Sequence, residues 1–275
     1  MPSKQNSIQI YVIIALTAVL LILAVRLLLL HRELQEMKKE FFSEYMEEIL
    51  EEKSIAGELN IIIDDFGYRN DEVSDGFLSL GANLTFAVIP GHKYSRSFAK
   101  KAFKRGYEVI VHMPMESHVS SSGEEDFVLN TDMTSSEIES RMENVITHLP
   151  QAVGMNNHQG SKATENKRVM NVVGSVLKKY EKYFIDSRTT PESIAESMMM
   201  SLGVHTANRD VFLDNEADPY LINKQLDQLI STAQHKGSAI GVGHARPMTL
   251  QVLQKRIPEL KKAGFQFKFV SSRYK

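Results

Sequence analysis

The sequence predicts an α/β protein built on a parallel sheet, and three observations carry that expectation. Short apolar runs alternate with longer amphipathic stretches from Gly57 to the end of the chain, the pattern of strands joined by helical crossovers. Polar and titratable residues gather just beyond the C-terminal ends of many successive runs, where a barrel assembles its active site from its loops. An open sheet would concentrate such residues at one switch point, so the pattern favours a barrel. With 275 residues, 43% of them hydrophobic and 24% charged, the chain has material for one large domain and attachments.

The first element is read as a membrane anchor over residues 1–30. Residues 10–25 carry no charge, Arg26 follows, and Leu27, Leu28, Leu29 and Leu30 complete an apolar stretch of about 20 residues, the length that crosses a bilayer as a helix. Arg26 would snorkel to the headgroups. A cleaved signal peptide is the competing reading, but the stretch is long for one and no small-x-small cleavage site follows it. Lys4 lies on one side, with Arg26, Arg32, Lys38 and Lys39 on the other, so charge alone would keep the C-terminal domain cytoplasmic. Residues 31–56 read as an amphipathic stalk or linker helix, since Leu34, Met37, Phe41, Tyr45 and Ile49 recur at helical spacing. It could form a homodimer through a short coiled coil or pack on its own domain.

The domain proper is expected over residues 57–275. Its strand candidates are residues 59–63, 84–88, 109–111, 153–155, 184–185, 204–206, 239–242 and 267–270. Asp64 and Asp65 follow the first run and His112 the third. Asn156, Asn157 and His158 follow the fourth, Asp186 and Arg188 the fifth, Asn208 and Asp210 the sixth, and His244 the seventh.

Composition narrows the chemistry. A net charge of −2 leaves no basic excess for a phosphate backbone, so nucleic acid is not an expected partner. The domain has no GxGxxG or GxxxxGK[ST] element, so nucleotide binding has no motif to stand on. The absence of cysteine excludes disulfides, thiolate nucleophiles and iron–sulfur clusters, and leaves His, Asp, Glu or Asn to hold any metal. Adjacent carboxylates at Asp64 and Asp65 repel unless a cation, a hydrogen-bond network or a shared proton relieves them; a helix cap with a solvated neighbour would also account for them. His112 is followed four positions on by Glu116, and the two could face one metal. The segment 155–161 crowds polar side chains beyond a strand, which packing alone does not explain. His244 stands between glycines and Arg246, where a turn histidine is the plain alternative. Together, two carboxylates and three histidines offer the oxygen and nitrogen ligands that zinc, iron or nickel accept.

Taken in order, Ile61-Ile62-Ile63-Asp64-Asp65-Phe66-Gly67, Leu84-Thr85-Phe86-Ala87-Val88-Ile89-Pro90, His112-Met113-Pro114-Met115-Glu116, Val153-Gly154-Met155-Asn156-Asn157-His158-Gln159-Gly160-Ser161, Phe184-Ile185-Asp186-Ser187-Arg188-Thr189 and Ala239-Ile240-Gly241-Val242-Gly243-His244 resemble the divergent branch of the polysaccharide deacetylase superfamily. The resemblance implies an irregular seven-stranded (β/α) barrel over residues 57–275. It implies Asp64 as general base and His244 as general acid. A divalent metal, zinc foremost, would be held by Asp65, His112 and His158, with Glu116 as the alternative third ligand or a supporting partner. Asn157, Asp186, Arg188 and Asp210 are the remaining candidates for holding substrate or supporting the ligands. Asp186 and Arg188 could instead form a structural ion pair, and the loop that carries Asp210 and Asp214 could merely cap a helix. The implied partner is an acetylated polysaccharide or cell-wall glycan, met outside the cytoplasmic membrane. The rivals are a catalytically inactive envelope barrel that binds glycan or protein, and a metal-dependent hydrolase of other esters or amides.

Overall fold

The computed structural model of the protein describes residues 4–119 and 126–274, and within the first helix the side chains of residues 16–46. The chain divides into two units, Met1–Ser54 and Ile55–Lys275. In the first, the expected anchor and stalk are one continuous helix, α1 (Lys4–Ser54). No helix among the described residues is long and apolar enough to cross a membrane. A membrane-length span starting at Leu16 takes in Arg26, Arg32 and Glu33, three charges that would lie in or against hydrocarbon. Residues 1–15 of the expected anchor lie outside the described side chains. The membrane-anchored, extracytoplasmic placement is therefore corrected: anchoring through an N-terminal helix is not supported. Dimerisation through the stalk likewise finds no support among the described residues.

The second unit is the expected α/β fold. Its strands are β1 (Gly57–Phe66), β2 (Thr85–Val88), β3 (Glu108–Met115), β4 (Gly154–Gln159), β5 (Tyr183–Asp186), β6 (Thr206–Asn208), β7 (Val211–Phe212), β8 (Ser238–His244) and β9 (Phe265–Phe267). They pair in the order β6-β5-β4-β3-β2-β1-β8-β7, every pairing parallel, and β9 lies beside the start of β1. Helices α2 (Glu72–Phe77), α3 (Ser95–Lys104), α4 (Ser135–His148), α5 (Lys167–Lys179), α6 (Ala195–Leu202), α7 (Pro219–Lys236) and α8 (Pro247–Lys262) make the crossovers.

Among the described residues nine strands stand where seven were expected. The wall opposite β1 is split between β6, which pairs with β5, and β7, which pairs with β8. No ladder joins β6 to β7 in this sheet, so the covalent chain at Arg209 and Asp210 bridges the seam. Asp210 N–H donates to Ile240 O, and its Oδ2 accepts from Ile240 N–H, both at 2.9 Å. These bonds extend the β7–β8 pairing by one residue and tie the β7 side of the seam to β8. The last apolar run, 267–270, ends β9 and passes into a 3₁₀ helix at Val270–Tyr274.

Strand alternation sorts the side chains. Ile61, Ile63, Val109, Val111, Met155 and Phe184 pack outward under the helices, whereas Ile62, Ile110, Ile185, Ile240 and Val242 fill the curled interior. Because strand side chains repeat every second residue, Asp64 continues the interior row of Ile62, and His112 that of Ile110. Asn156 and His158 continue the row opposite to Met155, and His244 that of Ile240 and Val242. Hydrophobic alternation alone thus sends these polar residues to one place.

Phe66, the last residue of β1, is fully buried and anchors this arrangement. It stacks on Phe98 at 4.0 Å between ring centroids and meets Phe86 and Phe77 edge-on at 5.0 and 5.8 Å. Phe66→Ala is expected to cost about 3–5 kcal/mol, read from denaturant unfolding; a loss under about 1 kcal/mol would contradict this packing.

Candidate functional site

Adjacent residues of a strand normally face opposite ways, yet Asp64 and Asp65 meet in one site because β1 is irregular there. Its register against β2 runs Ile63↔Phe86 and then Phe66↔Val88, one residue too many on β1. Asp65 takes that extra place with φ of 68°, a left-handed backbone that a bulge uses to re-aim a side chain. Gln159 and Arg188 also hold positive φ, at 55° and 52°, and both line the cleft beside the site. Strain of this kind collects where the surroundings enforce a functional geometry.

Asp65, His112 and His158 offer three ligand atoms that converge. His158 Nδ1 lies 3.0 Å from His112 Nε2, and Asp65 Oδ1 lies 3.4 Å from each nitrogen. Asp65 Oδ1 is buried and has no hydrogen-bond partner. An ion bonded about 2.0–2.1 Å from each ligand spaces its ligands about 3.3 Å apart in a tetrahedral set, and about 2.9 Å in an octahedral one. The sides of 3.0, 3.4 and 3.4 Å lie within about 0.1 Å of this range, and the orphaned carboxylate oxygen faces the centre of the triangle, so these residues fit a divalent cation. Glu116 belongs to no such group among the described residues. Its Oε2 accepts from Thr131 N–H and Oγ1–H, and its Oε1 from Lys162 Nζ, each at 2.6 Å, which ties the end of β3 to the loops beyond it.

Behind the triangle, the fully buried Asn156 links two site residues. Its Oδ1 lies 2.7 Å from His112 Nδ1, and its Nδ2 donates to Asp64 Oδ1 at 2.9 Å. The amide therefore selects the His112 tautomer whose Nε2 is free for an ion, and it fixes the rotamer of Asp64. On the far side, Asp64 and His244 are register partners on β1 and β8. His244 Nε2 lies 3.9 Å from Asp65 Oδ2, and its Nδ1 contacts Asp214 Oδ1 at 2.8 Å. Asp214 Oδ2 accepts from His244 N–H at 2.8 Å and from the Thr249 hydroxyl. Gly243 keeps this approach uncrowded, since a Cβ there would stand 3.3 Å from Thr249 Cγ2.

Charge and burial work against each other throughout. Burial pushes the Asp64 carboxyl up, and His112 and His244 offset this only in part. At Asp65 burial acts the same way, but His112 and His158 outweigh it and hold the group well below the carboxylate range. Burial would lower His112; Asp64 and Asp65 instead raise it to about 9. Asp214 is lowered and His244 raised, because their mutual bond overcomes the burial of both.

The other expected residues divide by strand face. Asp186 follows the inward Ile185 and so points away from the interior. It accepts from Arg188 N–H and Ser193 Oγ–H, both at 2.7 Å, and the bond to Arg188 is to its backbone, not an ion pair between side chains. Asn157 Oδ1 accepts from Ser187 N–H at 2.8 Å and its Nδ2 donates to Gln159 O at 2.7 Å, which shapes the cleft wall. Asp210 holds the seam and pairs with Lys236 at 2.8 Å. The cleft itself measures about 400 Å³ and runs from Asp64, His112 and His158 past His244 to Arg188, Arg209 and Phe212. Asn156 and Arg209 were absent from the expected site; alternation along β4 points to the first, and nothing in the local pattern marks the second.

A family model described as divergent polysaccharide deacetylase matches residues 61–273, which takes in every strand from β2 to β9 and the whole cleft. The chain belongs to the divergent polysaccharide deacetylase family. The deacetylases for which this family is named act on acetylated polysaccharides. Among relatives, the uncharacterized protein YibQ of Escherichia coli is 37% identical over 206 residues, 75% of this chain and 64% of YibQ, so the chain spans less than two thirds of that protein. An uncharacterized protein of Haemophilus influenzae is 34% identical over 204 residues, 73% of this chain and 72% of its own. The crystal structure of an uncharacterized protein from Agrobacterium tumefaciens superposes with a TM-score of 0.74 at 19% identity, covering 81% of this chain and 94% of that one. At that identity the likeness concerns the fold alone.

Proposed function

We propose that this deacetylase-family chain is a metal-dependent hydrolase that removes N- or O-acetyl groups from the sugars of an acetylated polysaccharide, with zinc as its ion. The observation that carries the reading is the Asp65–His112–His158 triangle with the register partners Asp64 and His244 beside it. When bound, the ion supplies Lewis-acid polarisation of the acetyl carbonyl and makes a water acidic near neutral pH.

The chain's own residues do the rest. Asp64 is held by Asn156 through Oδ1, so Oδ2 is the oxygen that takes the proton of the attacking water. His244 presents Nε2 to the site while Asp214 holds Nδ1, so Nε2 is the atom that hands a proton to the departing sugar nitrogen or oxygen. Asp214 fixes the tautomer and supports the charged ring, as an acid behind a catalytic histidine does.

Elemental analysis of the protein beside a His112→Ala, His158→Ala double variant tests the reading, followed by acetate release from acetylated sugars and from simple esters. About one ion per chain, lost in the variant, together with acetate release from sugars in preference to esters, is the expected result. No ion after incubation with zinc, nickel or cobalt would overturn it in favour of a barrel that only binds.

A further inference from the structure

The cleft carries two positive charges that the proposed chemistry does not use. Arg188 is exposed on the β5–α6 loop, at φ of 52°, and its backbone N–H is pinned to Asp186. Arg209 lies on the seam between β6 and β7, half-buried over the Phe212 ring with its Cζ 4.8 Å from the ring centroid. Its Nε donates to Ser187 O at 2.8 Å and its Nη2 to Arg188 O at 3.2 Å, while Nη1 makes no hydrogen bond among the described residues. Both residues line the same cleft as Asp64, His112, His158 and His244.

Neither guanidinium has a carboxylate within ion-pair distance among the described residues. Arg69 and Arg256, by contrast, pair with Asp71 and Asp227 at 2.8 and 2.7 Å. Asp186 and Asp64 attract Arg209 only from beyond contact, and burial together with Arg188 outweighs them; two cations side by side with no ion-paired carboxylate are costly, and the ion expected in the triangle would add to the positive field. The guanidinium fork of Arg209 is fixed in place by backbone carbonyls, and a planar fork of that kind matches a carboxylate or phosphate.

The geometry points to an anionic substrate: a sugar that carries a carboxylate or phosphate group close to its acetyl group, the anion being held by Arg188 and Arg209 while the acetyl group meets the triangle. This assignment rests on the deacetylase reading for the acetyl end and on the two arginines alone for the anionic end.

Calorimetric titration of the full chain with three probes tests it: N-acetylglucosamine, N-acetylmuramic acid, which adds a carboxylate through its lactyl ether, and N-acetylglucosamine 6-phosphate. At least one anionic probe is expected to bind about ten- to a hundredfold more tightly than the neutral sugar, the range of a charge-assisted hydrogen bond or two. Preference for one anionic probe over the other identifies the group. Arg188→Asn removes the charge with a residue that tolerates left-handed backbone, and is expected to cut the anionic preference about tenfold, with Arg188→Lys restoring part of it. Equal binding of all three probes, no binding of any, or an unchanged preference in Arg188→Asn overturns the assignment. Acetate release is scored separately. An anionic preference without acetate release would sink the deacetylase reading and leave the anion site standing; acetate release without any preference would do the reverse.

Discussion

Asp64→Asn is expected to lower turnover of an acetylated sugar by about 10²–10⁴-fold, the usual contribution of a positioned general base, without removing the ion. The substitution is nearly isosteric, and an amide oxygen still accepts the 2.9 Å bond from Asn156 Nδ2. Asp64 is outside the Asp65–His112–His158 group, so ion content is expected to match the wild type. Elemental analysis, a melting curve and the initial rate of acetate release together make the check. Loss of the ion would make Asp64 a ligand, and a rate within about threefold of wild type would remove it from the proton-transfer role.

The candidate site was partly legible in the chain because it follows from alternation. Ile62 with Asp64, Ile110 with His112, and Ile240 with His244 are each two residues apart, so any strand that buries the first brings the second to the same face. The strands also run further than their apolar runs suggest. β3 continues to Met115 and β4 to Gln159, so His112, Asn156, Asn157 and His158 lie inside strands, where the sequence suggested turns beyond them. Parallel pairing between β3 and β4 satisfies this polar backbone, and apolarity is no guide to that.

Other features depend on contacts distant in sequence. The extra residue that turns Asp65 toward Asp64 is visible only in the register of β1 against β2. Asp214 supports His244 from 30 residues away, and nothing local separates it from Asp210, which serves the seam instead. Glu116 is at a spacing that suits a shared metal, but Thr131 and Lys162 claim its carboxylate. The seam itself could not be read, since a strand of two residues such as β7 is too short to show a period. At the other end of the chain, the apolar stretch ending at Leu30 suggested a bilayer span that the described part of α1 does not provide.

The second large effect concerns pH. Without an ion, Asp64 and Asp65 raise His112 to about 9 against the opposing effect of burial, so its imidazole is protonated at pH 7. A cation can take Nε2 only when the ring is neutral. Binding at pH 7 must therefore expel a proton, and apparent affinity is expected to rise about tenfold per pH unit from pH 7 to about 9 and then flatten. The ion-free protein responds in the opposite sense. A histidine raised above its unfolded value near 6.5 stabilises the fold fully below that pH and loses the contribution as pH rises through about 9. Between pH 6.5 and 9 the ion-free melting temperature is expected to fall while the increment from added ion grows. Titration against a chromophoric chelator at several pH values, with calorimetry in buffers of different ionisation enthalpy, measures both affinity and proton release. A pH-independent affinity with no proton released would mean that His112 is neutral before the ion arrives, so that the two carboxylates do not control the charge of this ring.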